Sequence, residues 1–515
     1  MASCNKLGVW TEVHRSDLPS HANVLPIKWV YKMKLTMDGT LDKRKARVTP
    51  KGFKEREGID YTDVFAPTGK YKSMRIGLSL SAKWNYELDQ LDVPTAFLNA
   101  PVHEDIYVEM PDGYKKEGYV YKLNRALYGL KQAPREWYLM ISAFISEQLG
   151  FSPTVSDPCL FHRRSRTGRL MLLFLFVDDF QVSYHSADKR EWDTYKRKLV
   201  ERFNTKDMGA SEFILGMRIR RDRKQCTITL DQELYICKAL EKYGLSECKP
   251  VHTPETDSGP SDMDAAVQQS DEKQIDIRGY QEIVGTLLYA AISTRPDIAH
   301  AVLQLTKHMQ SPYVHHMTAA MRVLRYLSGT KERGLVFGRS QQHIGNGNGN
   351  GSVRVNDSEM MTVAAYADAN WGGNVGSDRK SIMGWIVTLN GDVVSWASKK
   401  QRTVAQSTCE AELYAEAAAI NEVLWQRGLL GEMGLTVDDA SVVYGDNQST
   451  ITLSRNGVKS ERTKHVDIKY HFVTERVNDG TIMLQWIPTT EQRADILTKP
   501  LGRVLFSKMR GEIMM

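Results

Sequence analysis

Leu170-Met171-Leu172-Leu173-Phe174-Leu175-Phe176-Val177-Asp178-Asp179 sets two adjacent carboxylates at the end of an oily, strand-like run. A second stretch of similar character, Tyr366-Ala367-Asp368, follows about 190 positions later. An ionised carboxylate taken out of water needs a proton, a partner or a metal, and a divalent cation is the simplest compensation for paired aspartates. Asp also favours turns, so Asp178-Asp179 alone fits ordinary hairpin chemistry as well. The apolar strand before it points to a site.

The surrounding chain has 515 residues, too many for one core, since single cores stop growing at roughly 250 to 300 residues. The net charge of +6 is a mild balance, common among proteins that never meet a polyanion. The six cysteines include no C-x-x-C pair, which argues against a zinc cluster or a dense disulfide framework. No stretch reaches the roughly 18 consecutive apolar residues of a membrane span, and Met1 opens onto polar sequence. The expectation is a soluble, intracellular protein with no membrane partner.

Along the chain, Ile27 to Leu35 reads as a strand, Met37-Asp38-Gly39 as a turn, and Asp42 to Phe53, with five cations, as the returning limb. A helix is expected around Lys72 to Asn85. Ala126-Leu127-Tyr128-Gly129-Leu130 reads as the opening of a long amphipathic helix that runs to about Leu149. Leu170 to Val177 and Phe180 to Tyr184 read as strands around a tight turn at Asp178-Asp179. Residues 253 to 272 are polar and rich in Pro and Gly, hence a loop. Gln341 to Ser352 cannot bury apolar surface and reads as a domain linker. Adjacent His315 and His316 would point about 100° apart on a helix and lack a carboxylate at ligand spacing, so they read as a solvated helix start.

Two neighbouring carboxylates on a turn, joined by a third from an adjacent strand, can hold a pair of cations about 3.5 to 4 Å apart for phosphoryl transfer. Oxygen ligation suits Mg²⁺. The wider sequence supplies the context. Residues 25 to 250 closely resemble the reverse transcriptase of copia-type (Pseudoviridae) LTR retrotransposons. The motifs include Lys28-Trp29-Val30-Tyr31-Lys32, Lys51-Gly52-Phe53, Phe65-Ala66-Pro67, Gln90-Leu91-Asp92-Val93-Pro94-Thr95-Ala96-Phe97, Leu127-Tyr128-Gly129-Leu130 and Phe176-Val177-Asp178-Asp179.

The resemblance implies that Asp92, Asp178 and Asp179 are palm carboxylates for two Mg²⁺, with the Val93 carbonyl a further ligand. It implies that Lys45, Arg47 and Lys51 clamp the triphosphate and that Phe97 lies beneath the incoming sugar. Leu215-Gly216-Met217 matches the segment supporting the primer terminus, although a Gly between apolar residues also fits a plain bulge. Thr49-Pro50 and Gly69-Lys70 depart from the family pattern and put the nucleotide clamp in question more than the metal ligands. Residues 270 to 335 match as thumb and connection.

After the linker, Asp368, Glu412, Asp446 and Asp495 lie on separate elements that only folding could gather. Tyr366-Ala367-Asp368, Ser407-Thr408-Cys409-Glu410-Ala411-Glu412-Leu413, Asp446-Asn447-Gln448-Ser449 and Ala494-Asp495-Ile496-Leu497-Thr498-Lys499 resemble the ribonuclease H domain of the same elements. Glu410 and Glu412 compete for one ligand position. Two helical steps turn about 200°, so both cannot face one metal pair. Ser407 with Glu410 forms a capping box, which gives Glu410 a structural role. Glu412 precedes Leu413 as the catalytic Glu of the family does, so the resemblance implies Glu412 as the ligand. Arg462, Lys464, His465, Lys469 and His471 fit either a path for hybrid phosphates or an exposed face. The loop before Asp495 lacks the histidine that retroviral relatives carry there.

The reading is an α+β right-hand polymerase (fingers, palm, thumb/connection) followed by an α/β ribonuclease H-like domain. The expected divisions are 1–250 for fingers and palm, 251–340 for thumb/connection, 341–358 for a flexible linker and 359–515 for ribonuclease H. By resemblance, the partners are an RNA template, a DNA primer/template, an RNA–DNA hybrid and dNTPs. The cofactor is Mg²⁺, two per site, with Mn²⁺ able to substitute. The location is a cytoplasmic virus-like particle with access to the nucleus. The rival is a decayed or domesticated product that binds nucleic acid without turnover. Capsid, protease and integrase portions are absent, so a piece of a longer polyprotein is expected. Nothing in the sequence sets the oligomeric state.

Overall fold

The computed structural model describes residues 1–35, 40–256, 275–339, 359–373, 378–456 and 467–515. The expected turn at Met37-Asp38-Gly39, the linker at 341–358, most of the 253–272 loop, and Arg462, Lys464 and His465 lie outside them. The chain divides into two compact units. One comprises Met1–Lys70 with Leu88–Ala210, the other Tyr71–Glu87 with Ser211–Met515.

In the first unit, alternating residues make Ile27–Leu35 and Leu41–Pro50 an antiparallel pair, with Val30 opposite Arg47 and Lys32 opposite Lys45. A six-stranded sheet follows the order Lys206–Ala210, Glu87–Asp92, Asp179–Tyr184, Leu170–Phe176, Leu160–Arg164, Ser152–Pro153. Leu170 through Leu175 are all buried, which explains their unbroken apolar run. Trp137, Ile141, Ile145 and Leu149, spaced on one face of the helix Ala133–Leu149, share a core with these strands. The helix begins at Ala133, not at Ala126 as expected. Pro134 lacks an N–H and fits only the first turn, so the chain before it must be irregular.

In the second unit, the helix Tyr71–Lys83 carries a buried Arg75. Its guanidinium donates to the carbonyls of Val394, Ile292 and Ser293. A four-stranded sheet runs Phe213–Ile214, Met217–Asp222, Thr227–Asp231, Gly334–Phe337. Helices Ile277–Ser293, Ala299–Thr306 and Val314–Ser328 lie between its last two strands in sequence. A five-stranded sheet is ordered Asp392–Lys400, Ile382–Leu389, Val363–Asn370, Ser441–Gly445, Ile482–Trp486, and the helix Thr408–Glu432 packs on its central strands. His315 and His316 do start a helix, but they are 5 % and 1 % exposed, which corrects the solvated reading. His316 stacks on His308 at 3.8 Å and its ring accepts the Tyr313 N–H. Among the described residues, no helix is long and apolar enough to cross a membrane.

Candidate functional site

Asp92 ends one strand of the six-stranded sheet and Asp179 begins its neighbour. Phe176 pairs with Asp179, so the two-residue turn is Val177-Asp178, one position earlier than the expected Asp178-Asp179. Val177 has φ +57°, a left-handed conformation unfavourable for a β-branched residue. Two hydrogen bonds hold this turn. The Trp137 indole donates to the Val177 carbonyl at 2.7 Å, and the Val93 N–H donates to the Asp178 carbonyl at 2.8 Å. Trp137 was not foreseen as a site residue, because an aromatic on an apolar helix face reads simply as core.

Burial, and after it the charge of Asp92, raises the Asp178 carboxyl above its ordinary range, while Lys45 and Arg47 act in the opposite direction. Lys45 and Arg47 are two residues apart on one strand and therefore share a face. The Arg47 guanidinium lies 4.8 Å from the centre of the Tyr128 ring, and Tyr128 packs on Phe97 with ring centres 4.5 Å apart. Arg47 Nε is buried without a hydrogen-bond partner. Burial, then the nearby Asp178 charge, pushes the Tyr128 hydroxyl up to about 12. Tyr128 is a second residue that the sequence reading passed over as part of a motif. Lys51 follows the end of the strand, and its N–H donates to the Pro26 carbonyl.

The departures from the family pattern have packing partners. Gly129 has φ +117°, and a Cβ there would meet the Thr49 methyl at 2.5 Å and the Pro50 carbonyl at 2.7 Å. Thr49-Pro50 thus closes against the backbone beside Tyr128. A Cβ on Gly69 would meet the Phe174 ring at 2.5 Å, so the larger residue usual there would not fit. In the second unit, Leu215 (φ +51°) and Gly216 (φ +79°) form a two-residue hairpin turn, and the Tyr289 hydroxyl donates to the Leu215 carbonyl. Met217 is wholly buried, leaving Leu215 and Gly216 to present the surface.

Strand register explains the second carboxylate cluster. Val363–Asn370 and Ser441–Gly445 are parallel, with Tyr366 opposite Tyr444, so Asp368 and Asp446, each two residues further on, emerge side by side. Glu412 comes from the helix Thr408–Glu432. Carboxylate oxygens of Asp368, Glu412 and Asp446 all lie within 4.8 Å of one another, the one such trio among the described residues. Glu410 is not in it. Its own N–H donates to Ser407 Oγ, the expected cap, whereas its carboxylate accepts the Gln406 N–H at 2.6 Å instead of the Ser407 N–H that would complete a capping box.

Asp495 stands in the turn Arg493–Leu497 and is wholly buried. Lys499 Nζ forms an ion pair with its Oδ1 at 2.9 Å and lies 3.9 Å from the Asp368 carboxylate. Burial and then the charge of Asp368 push Asp495 up to about 7. Glu412 is likewise raised by burial, then by Asp368 and Asp446. Thr498 Oγ1 donates to Asp368, and Thr489 Oγ1 donates to Asp446 at 2.8 Å. Crowded, largely buried carboxylates that present oxygen ligands alone fit a hard divalent cation, with Lys499 as the cationic partner within the protein.

Residues 8–257 match the reverse transcriptase (RNA-dependent DNA polymerase) family. The chain is 38 % identical over 510 residues to the retrovirus-related Pol polyprotein from transposon TNT 1-94 of Nicotiana tabacum, covering 98 % of this chain and 36 % of that protein. It is 31 % identical over 337 residues to a transposon Ty5-1 protein of Saccharomyces cerevisiae, covering 65 % of this chain and 100 % of that one. A solved foamy viral protease-reverse transcriptase in complex with double-stranded DNA aligns with a TM-score of 0.47 and 12 % identity, over 94 % of this chain and 68 % of that one. The chain spans 32–36 % of the length of the plant polyproteins it matches.

Proposed function

The chain belongs to the copia-type retrotransposon Pol family, and on that premise we propose that it is an RNA- and DNA-templated DNA polymerase joined to a ribonuclease H. It takes an RNA template, a DNA primer and dNTPs, degrades the RNA of an RNA–DNA hybrid, and works in a cytoplasmic particle. Residues 1–250 supply fingers and palm, 251–340 thumb and connection, and 359–515 the ribonuclease H. One observation carries the reading: separate elements converge so that like-charged carboxylates face each other, Asp178 against Asp92 and Asp368 against Glu412 and Asp446.

Asp92, Asp178, Asp179 and the Val93 carbonyl would hold Mg²⁺ in the polymerase site, and Asp368, Glu412, Asp446 and Asp495 would hold it in the nuclease site. Bound in pairs, Mg²⁺ or Mn²⁺ makes the attacking hydroxyl or water more acidic and neutralises charge on the leaving oxygen. Arg47, with its spare Nε, and Lys45 receive the triphosphate and offset its developing charge, with Lys51 at the edge of the clamp. Phe97, braced by Tyr128, forms the floor beneath the sugar and excludes a 2′ hydroxyl. The Leu215-Gly216 turn, rooted by Met217, supports the primer end.

Primer extension on an RNA template with Mg²⁺, run beside cleavage of a labelled hybrid, tests both sites in one preparation. Asp178→Asn should lose extension and keep cleavage, and Asp446→Asn should do the reverse. Equal incorporation by the native chain and Asp178→Asn would remove the polymerase assignment. A native chain that binds hybrid yet neither extends nor cleaves would leave the binding-only rival.

A further inference from the structure

We infer that Gln492 is the positioning residue of the nuclease site, its one amide tying together the backbone beside three of the four carboxylates. This rests on the ribonuclease reading above and concerns how that site is assembled. Gln492 is wholly buried and immediately precedes the turn that bears Asp495. Its Nε2 donates to the Ala367 carbonyl at 2.9 Å and more weakly to the Tyr444 carbonyl at 3.5 Å, while its Oε1 accepts the Ala494 N–H at 3.2 Å. Ala367 precedes Asp368, Tyr444 lies two residues before Asp446, and Ala494 precedes Asp495.

The position matters because backbone pairing gives out there. The parallel register between the two central strands runs from Ala364–Val442 to Tyr366–Tyr444 and stops short of both aspartates. The Gln492 amide takes the next carbonyl on one strand and the last paired carbonyl on the other, and so continues the join where the ladder ends. A primary carboxamide offers two N–H donors and an acceptor in one plane without adding charge. A carboxylate of the same shape would set an acceptor against two carbonyls and add a fifth carboxyl group to the site. A glycine at Gly384, opposite Asp368, lets the same turn pack closely, since a Cβ there would meet Leu497 Cβ at 2.7 Å.

The test uses the full chain carrying Asp92→Asn and Asp178→Asn, so that Mn²⁺ followed by electron paramagnetic resonance reports the nuclease site. Gln492→Glu should bind Mn²⁺ at least tenfold more weakly. Gln492→Asn, with the amide kept on a shorter stem, should recover part of that loss. With native palm residues, Gln492→Glu should cleave hybrid at least tenfold more slowly, need more Mg²⁺ for half-maximal cleavage, and extend primers as the native chain does. Equal Mn²⁺ binding by the native, Glu and Asn forms would make Gln492 a packing element and overturn the inference. A native chain that binds Mn²⁺ there but never cleaves hybrid would sink the ribonuclease reading, while the Mn²⁺ comparison would still decide the role of Gln492.

Discussion

The Val93 N–H donates to the Asp178 carbonyl at 2.8 Å, so the strand that ends in Asp92 and the turn that carries Asp178 are joined by backbone. On this side the turn is held by a main-chain hydrogen bond. The other side depends on a side chain, because Val177 is held by the Trp137 indole. Trp137→Phe keeps a buried ring against Phe203 but strands the Val177 carbonyl, a loss of about 1 to 3 kcal/mol. Primer extension should fall roughly tenfold to a hundredfold at limiting Mg²⁺ while hybrid cleavage stays level. Unchanged extension would show that the turn holds its shape without the indole.

Arg47 faces both Asp178 and the Tyr128 ring and keeps an unpartnered Nε, so its loss should act on nucleotide use. Arg47→Ala should lower kcat/KM for dNTPs by about 10² to 10³, with Arg47→Lys recovering little because an ammonium lacks the planar, stacking fork. Single-nucleotide incorporation under steady state checks this; full recovery by Lys would reduce Arg47 to a point charge.

Phe97 and Tyr128 form one tilted ring pair, with centres 4.5 Å apart. Phe97→Ala should open space at the sugar and cut discrimination against ribonucleotides by at least about tenfold. The ratio of dNTP to rNTP incorporation is the measurement, and an unaltered ratio would place the 2′ filter elsewhere.

Glu410 and Glu412 should separate cleanly. Glu412→Gln removes a member of the carboxylate trio and should abolish hybrid cleavage. Glu410→Gln retains an acceptor for the Gln406 N–H and should keep cleavage, at a cost of about 1 kcal/mol in stability. Cleavage assays with melting curves on both variants decide the matter.

Glu416 is wholly enclosed and its carboxyl is pushed up to about 8 by burial, against an ordinary 4.5. The folded chain therefore keeps this proton to higher pH than the unfolded one, so the stability tied to it is complete below pH 4.5 and drains away up to pH 8. The gap corresponds to on the order of 5 kcal/mol. Glu416→Gln should melt like the native chain near pH 4.5 and increasingly above it toward pH 8. A melting difference independent of pH would mean that Glu416 is already solvated or paired.

The sequence by itself determined the family and which elements bear the candidate carboxylates. Apolar runs ending in carboxylates mark strands that bring acidic side chains together, and the Ser407 to Glu410 spacing already gave Glu410 a capping role. Local pattern also located the strand at Ile27–Leu35 and, to within one or two residues at their ends, the strand Leu170–Phe176 and the helix Tyr71–Lys83, since side-chain periodicity is a property of neighbours in the chain. Only the tertiary structure decided what depends on partners distant in sequence. Trp137 meets Val177 across 40 positions, Gln492 meets Ala367 across 125, and Tyr128 lies between Arg47 and Phe97. The Val177-Asp178 turn and the burial of His315 and His316 follow from strand register and helix packing, which no local run of residues encodes.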